Sequence, residues 1–263
     1  MLNPLITLTT DFGLSDHFVA AMKGVILGIA PKARIVDVTH QIQAFEVAEA
    51  AFVIAEAYRY FPARTIHVVV VDPGVGSARR PLLMETAGQY FVAPDNRVLS
   101  MILAGQPTAK VRHITADRYF LHPLSRTFHG RDIFAPVAAH LSAGIPPAKF
   151  GKLVNDHLRL SLGHPTQTGK RNWTGAVLKV DHFGNLITNL HIDKFLDIRT
   201  RPFEIHVGLE KLTRLALTFS EGEQGELFVI VGSSGYIEVA ANQASAAKLL
   251  GCGVGSPVEL VTF

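Results

Sequence analysis

Apolar and polar positions divide this 263-residue chain into two differently patterned parts. In the first, short apolar runs alternate with stretches of helical period. Leu5 to Thr9 reads as a strand closed by Thr10-Asp11-Phe12-Gly13. Asp16 to Ile29 carries Phe18, Met22, Val25 and Ile26 at helical spacing. Arg34 to Val38 is strand-like, and Val47 to Tyr60 places Val47, Ala51, Ile54 and Tyr58 on one helical face. The four valines Val68 to Val71 are apolar on both faces, as expected of a buried strand in a parallel sheet. Tyr90 to Ala93 predicts another strand, Pro94-Asp95-Asn96 a turn that begins a helix through Leu103, and Ile133 to Leu141 a further helix. Strands separated by helices predict an α/β domain with a mainly parallel sheet.

The pattern changes after about residue 160. Leu162 to Lys170 has the composition of a linker, and no clear helix precedes Asn242. Short strands are predicted at Trp173–Val180, Phe203–Val207, Arg214–Phe219, Glu226–Val231, Tyr236–Val239 and Val258–Phe263, a spacing that suggests a small β-barrel or sandwich. The expected organisation is an α/β domain over 1–162, a linker over 163–172 and a smaller all-β barrel domain over 173–263.

Composition narrows the function classes. A formal charge of +3 with no basic run beyond pairs such as Arg79-Arg80 argues against a nucleic-acid surface. Cys252 is the only cysteine, which excludes an intramolecular disulfide and a cysteine zinc site. Met1 to Leu5 lacks the basic region of a signal peptide, and no apolar stretch approaches bilayer length, so a cytoplasmic location is expected.

Four polar clusters adjoin these elements. Asp11 follows the first strand, where an acidic residue suits a ribose diol; Asp16 is either a helix cap or a second ligand. Asp72 follows the valines in Asp72-Pro73-Gly74-Val75-Gly76, with Arg79 or Arg80 placed to pair with it. That loop lacks both the P-loop and the dinucleotide-binding glycine patterns. His129, next to Gly130, stands before a helix whose start Arg131 and Asp132 are placed to support. Asp181-His182-Phe183-Gly184-Asn185 offers an aromatic face and an amide for an adenine-like edge, or is a plain turn.

With these segments in view, the chain resembles the S-adenosylmethionine hydroxide adenosyltransferases, relatives of the fluorinating and chlorinating enzymes that consume the same substrate. The resemblance runs from Thr10-Asp11-Phe12-Gly13 through Val71-Asp72-Pro73-Gly74-Val75-Gly76, Phe128-His129-Gly130-Arg131-Asp132 and Asp181-His182-Phe183-Gly184-Asn185 to Ser233-Ser234-Gly235-Tyr236 and Asn242. It implies a homotrimer with S-adenosyl-L-methionine held between neighbouring subunits, and hydrolysis to adenosine and L-methionine without a metal or cofactor. The water-handling Asp, Arg and His of that family fall on Asp72, Arg79 and His129. Asp11 would hold the ribose, and Asp16 and Asp181 the methionine amino group. Phe183, Asn185 and Phe219 would surround the adenine, Ser233 would bind the carboxylate, and Gly130 would leave space near the reacting carbon; Gly74 and Gly76 then look like room for a nucleoside. Phe45 and Ile187 stand where the fluorinating relative has tryptophans, which implies differently built adenosyl-pocket walls. The alternatives are 5′-halogenation with chloride, a metal-dependent phosphoesterase using Asp11, Asp16, Asp72 and His129, and a non-catalytic adenosyl-ligand-binding protein.

Overall fold

The valine run sets the layers of the first half of the chain, because successive side chains of a strand point to opposite faces. Val68 and Val70 pack in one core with Ile6, Leu8, Met22, Ile26 and Val137. Val69 and Val71 pack in another with Ala50, Ile54, Phe91 and Ile102. A sheet therefore lies between two helical layers.

The structure, a computed structural model, describes residues 5–160 and 164–263, in two compact units that part after Leu160. The leader reading of Met1 to Pro4 and the Leu162–Gly163 part of the expected linker lie outside the described residues. The first unit runs β1 (Leu5–Thr10), α1 (Phe18–Ile29), β2 (Arg34–Thr39), α2 (Val47–Ala57), β3 (Ile66–Val70), β4 (Pro81–Thr86), β5 (Gln89–Pro94), α3 (Ser100–Ala104), β6 (Lys110–His113) and α4 (Ala135–Ser142). The sheet order is β2-β1-β3-β5-β4-β6. β1 pairs in parallel with β2 and β3, and β3 with β5, whereas β4 is antiparallel to both β5 and β6.

The expectation of a mainly parallel sheet thus gives way to a mixed one. The reason is a two-residue hairpin between β4 and β5: Ala87 and Gly88 both have positive φ, 51° and 72°, the backbone that reverses a strand tightly. Leu82, Leu83 and Met84 are all buried, so β4 shows no alternation to read, and β6 is only four residues long. α1 begins at Phe18 after His17, with no side-chain cap, so the capping role considered for Asp16 is not realised. The helix expected from Ile133 starts as a π-turn over Gly130–Phe134 and is α-helical only from Ala135.

The register carries the functional consequence. Thr10 pairs with Val70, so Asp11 and Asp72 leave the sheet from neighbouring strands at its carboxyl edge, where α/β folds place ligands.

The second unit contains β7 (Thr166–Gln167), β8 (Asn172–Val180), β9 (Leu186–His191), β10 (Phe203–Val207), β11 (Glu210–Leu212), β12 (Leu215–Ala216), β13 (Leu227–Val231), β14 (Tyr236–Ala241), α5 (Ala246–Leu250) and β15 (Pro257–Thr262). Its strands follow the order β11-β10-β15-β8-β9-β14-β13-β12, with β7 beside β8. The pairs are antiparallel except β12 with β13. This is a curled, mostly antiparallel sheet around Val177, Leu190, Ile205, Val229, Val239 and Leu260. Thr166–Gln167 lies within the expected linker, yet it forms a short hairpin strand on β8. Among the described residues no helix is long and apolar enough to cross a membrane.

Candidate active site

At the carboxyl end of β3 the chain turns through Asp72 under close control. Val71, fully buried, gives its carbonyl to the Asn96 amide at 2.7 Å, and the Asp72 carbonyl accepts the Val75 N–H at 3.1 Å. Gly76 has φ +77°, and a Cβ there would stand 2.3 Å from the Arg126 carbonyl oxygen. Gly76 is therefore required by a close backbone approach. A Cβ at Gly74 would stand 3.5–3.8 Å from Ser77, Arg79 and Asp72, an ordinary contact. Room for a nucleoside is not what these glycines provide: they let the loop fold back onto itself and onto the segment leading to His129.

That folding brings Arg79 onto Asp72. Arg79 Nε donates to Asp72 Oδ1 at 3.1 Å, and Nη2 donates to Oδ2. The same Nη2 stands 2.9 Å from His129 Nδ1. The Asp72 and Arg79 side chains are 5% and 6% exposed, and the guanidinium lies 5.3 Å from the centre of the Phe134 ring. Arg79 Nη1 is buried without a partner among the described residues. Arg80, the other candidate partner, turns away to Asp95 and Asp156.

Burial drives the electrostatics of this trio. It raises the Asp72 pKa above the ordinary carboxylate value, with Arg79 countering only in part. It lowers the Arg79 pKa against the pull of Asp72. It also lowers the His129 pKa, assisted by the Arg79 charge. Since Arg79 is a donor with no lone pair to accept, His129 Nδ1 is the acceptor in this pair and the neutral ring carries its proton on Nε2.

Asp72, His129 and Gly130 border a cavity of about 300 Å³ with Asp11, Phe12, Phe18, Phe45, Thr127 and Phe128. Phe12, Phe18 and Phe128 form an aromatic wall with centroids 5.1–5.9 Å apart. Gly130 packs against Met22, Phe128 and Phe12 at 3.2–3.4 Å from a would-be Cβ. Asp11 accepts the Phe45 N–H at 2.9 Å through Oδ2. Asp16 is exposed and does not border this cavity. Arg131 pairs with the fully buried Asp132, which accepts the Ser125 N–H at 2.8 Å; together they fix the loop before His129.

In the second unit Phe183, Asn185 and Phe219 come together around a cavity of about 580 Å³, with Asn242, Gln243 and Ser245. Asp181 ties its own loop, accepting the Phe183 and Asn185 N–H groups and the Asn185 amide at 2.8–2.9 Å. Neither Asp181 nor Ser233, which sits exposed in the turn before β14, borders that cavity. Sequence reading missed Phe18, which reads as plain helix core, and Gln243. It also missed Ser245, whose position before Ala246-Ala247-Lys248 carries a helix-cap signal that the structure realises. Among the described residues no three His, Cys, Asp or Glu side chains come together to hold a metal.

Comparison with known proteins matches the chain to a family. Residues 6–151 match the SAM hydroxide adenosyltransferase N-terminal domain, and residues 175–259 its C-terminal domain. An (R)-S-adenosyl-L-methionine hydrolase of Salinispora tropica is 40% identical over 98% of this chain and 97% of its own length. A fluorinase of an Actinoplanes species is 27% identical over 92% of both chains. The crystal structure of an uncharacterized conserved protein from Thermotoga maritima superposes with a TM-score of 0.90 at 38% identity, over 97% of this chain and 99% of that one. With both domain models matched in order along the sequence, the chain belongs to the SAM hydroxide adenosyltransferase family.

Proposed function

We propose that this protein hydrolyses S-adenosyl-L-methionine: water attacks the ribose C5′, the C5′–S bond breaks, and adenosine, L-methionine and a proton are released. The observation that carries the reading is the hydrogen-bonded Asp72–Arg79–His129 set, whose Asp and His border the first cavity. The sulfonium leaves as a neutral thioether and needs no acid. Bulk water, with a pKa of about 15.7, is the poor partner. Holding it in line can supply about 7–11 kcal/mol.

Each member of the set has a distinct part. Asp72 takes the proton, because its raised pKa makes it a better base than an ordinary carboxylate and its oxygens keep free lone pairs. His129, with Nδ1 engaged by Arg79, orients the water through its Nε2–H. Arg79 clamps Asp72 and fixes His129, and its charge behind them favours the developing hydroxide without touching it. Asp11 holds the ribose. Phe183, Asn185 and Phe219 surround the adenine, Asp16 and Asp181 take the amino group, Ser233 takes the carboxylate, and Gly130 borders the space for C5′. The assembly in this reading is a cytoplasmic homotrimer with substrate between neighbouring subunits, working without a cofactor.

The test is incubation with each sulfonium epimer of S-adenosyl-L-methionine in ¹⁸O-water, followed by chromatography and mass analysis. The S. tropica relative's name makes the (R) epimer the first to try. Label in the adenosine 5′-hydroxyl is expected. Absence of adenosine above the uncatalysed rate would sink the proposal. A 5′-chloro-5′-deoxyadenosine product in place of adenosine in added chloride would replace it with halogenation.

A further inference from the structure

The turn that carries Asp11 is held from behind by a histidine that does not border the cavity. His40, just after β2, is 4% exposed. Its Nδ1 lies 2.8 Å from the fully buried Thr10 hydroxyl. Its Nε2 lies 3.1 Å from Asp37 Oδ1, off the hydrogen-bonding direction but in electrostatic contact. The other Asp37 oxygen takes Lys23 Nζ at 2.6 Å. Thr10 Oγ1 also accepts the Phe12 N–H at 3.2 Å, and the His40 carbonyl accepts the Gly13 N–H at 2.7 Å. The residues on both sides of Asp11 are thus fastened to Thr10 and His40.

The chain of contacts has a direction. Burial pushes the Asp37 pKa up, but Lys23 and His40 outweigh it and hold the carboxyl below its usual value. A carboxylate facing Nε2 favours the imidazole proton there. Nδ1 is then an acceptor, which the Thr10 O–H satisfies while its oxygen accepts from Phe12. The order carboxylate, imidazole, hydroxyl is that of a nucleophilic triad, but a hydroxyl with no exposure cannot reach a substrate. Its effect is on the backbone of the turn. That turn must be stiff: a carboxylate recognising a vicinal diol loses its second hydrogen bond if it is displaced by about 1 Å.

We propose that Asp37, His40 and Thr10 are positioning residues that fix Asp11 for recognition of a vicinal diol, an inference that rests on Asp11 as the ribose ligand. The experiment compares binding of adenosine and 2′-deoxyadenosine by calorimetry in wild type, Thr10→Val, Thr10→Ser and Asp37→Asn. Wild type is expected to prefer adenosine about tenfold, the scale of one good hydrogen bond to a charged acceptor. Thr10→Val keeps the shape without the hydroxyl. It should cut that preference to about twofold while leaving 2′-deoxyadenosine affinity unchanged. Thr10→Ser should restore the preference, and Asp37→Asn, changed at a partly exposed site, should weaken it. An adenosine preference unchanged in both Thr10→Val and Asp37→Asn overturns the proposal, as does an equal loss for both nucleosides or no preference in wild type. These readouts need no turnover, so failure of the hydrolytic reading, seen as absent product, is separate.

Discussion

Arg79 Nη2 reaches His129 Nδ1 at 2.9 Å while the same guanidinium grips both oxygens of Asp72, so one side chain sets the position of two. A lysine keeps the charge but has no planar fork with which to make parallel bonds. Arg79→Lys should therefore fold and lose turnover by about a hundredfold or more, in the range seen when a preorganised donor is removed. Arg79→Met leaves a buried carboxylate without its cation and should lose about 3–5 kcal/mol of stability. Turnover assays and urea melts of the two variants check this. Arg79→Lys with turnover within twofold of wild type would remove the clamp from the mechanism.

The identity of the base is readable from pH. Catalysis by Asp72 requires its ionised form, so kcat/KM should rise with pH through a limb lying above the usual carboxylate value of 3.8. His129, depressed below 6.5, is neutral at pH 7 and does not set that limb if it only orients water. His129→Asn keeps an acceptor for Arg79 and cannot titrate. It should retain the acid limb at reduced kcat, whereas His129→Ala should lose about a further tenfold for want of that acceptor. Disappearance of the limb in His129→Asn would make His129 the base.

The sequence was most legible where local pattern and global role coincide. The valines marked the central strand because both faces of it are buried, and Asp72 could be placed at its end for the same reason. Arg79 and Arg80 were indistinguishable in sequence, since what separates them is the loop's return path, set by Gly76 against Arg126, fifty residues away. β4 and β6 hid because one lacks alternation and the other length, and with them went the mixed character of the sheet. The role of His40 was invisible: Asp37 is a local neighbour three residues before it, but Thr10 meets it only through the β1–β2 pairing.

The two glycines of the Asp72 loop offer a matched contrast. A Cβ at Gly76 meets the Arg126 carbonyl at 2.3 Å with φ at +77°, while one at Gly74 meets nothing nearer than 3.5 Å. Gly76→Ala should cost about 1–3 kcal/mol. It should also depress kcat, because Arg126 leads directly into the Thr127–His129 segment. Gly74→Ala should stay within about 1 kcal/mol of wild type. Urea melts with parallel turnover measurements test the pair, and equal effects at the two positions would mean that the approach to Arg126 does not hold the loop.

Glu238 supplies a prediction on stability. It sits in β14 at 7% exposure, against Gly232, where a Cβ would lie 1.8 Å from its Oε1. Burial, and then the nearby Asp181 charge, push its carboxyl up to about 7. An acid whose folded pKa exceeds its unfolded value is favoured in the folded state while protonated. Its contribution is therefore lost as pH rises from about 4.5 to about 7 and is level beyond. Glu238→Gln imitates the protonated form at every pH. It should match wild type near pH 4.5 and exceed it by on the order of 3 kcal/mol at pH 8, the scale set by 1.36 kcal/mol per pKa unit over the rise from 4.5 to about 7. Urea melts of both proteins at intervals from pH 4.5 to 8 give the difference directly. A gap that does not widen with pH would mean that Glu238 ionises in the folded protein as readily as in water.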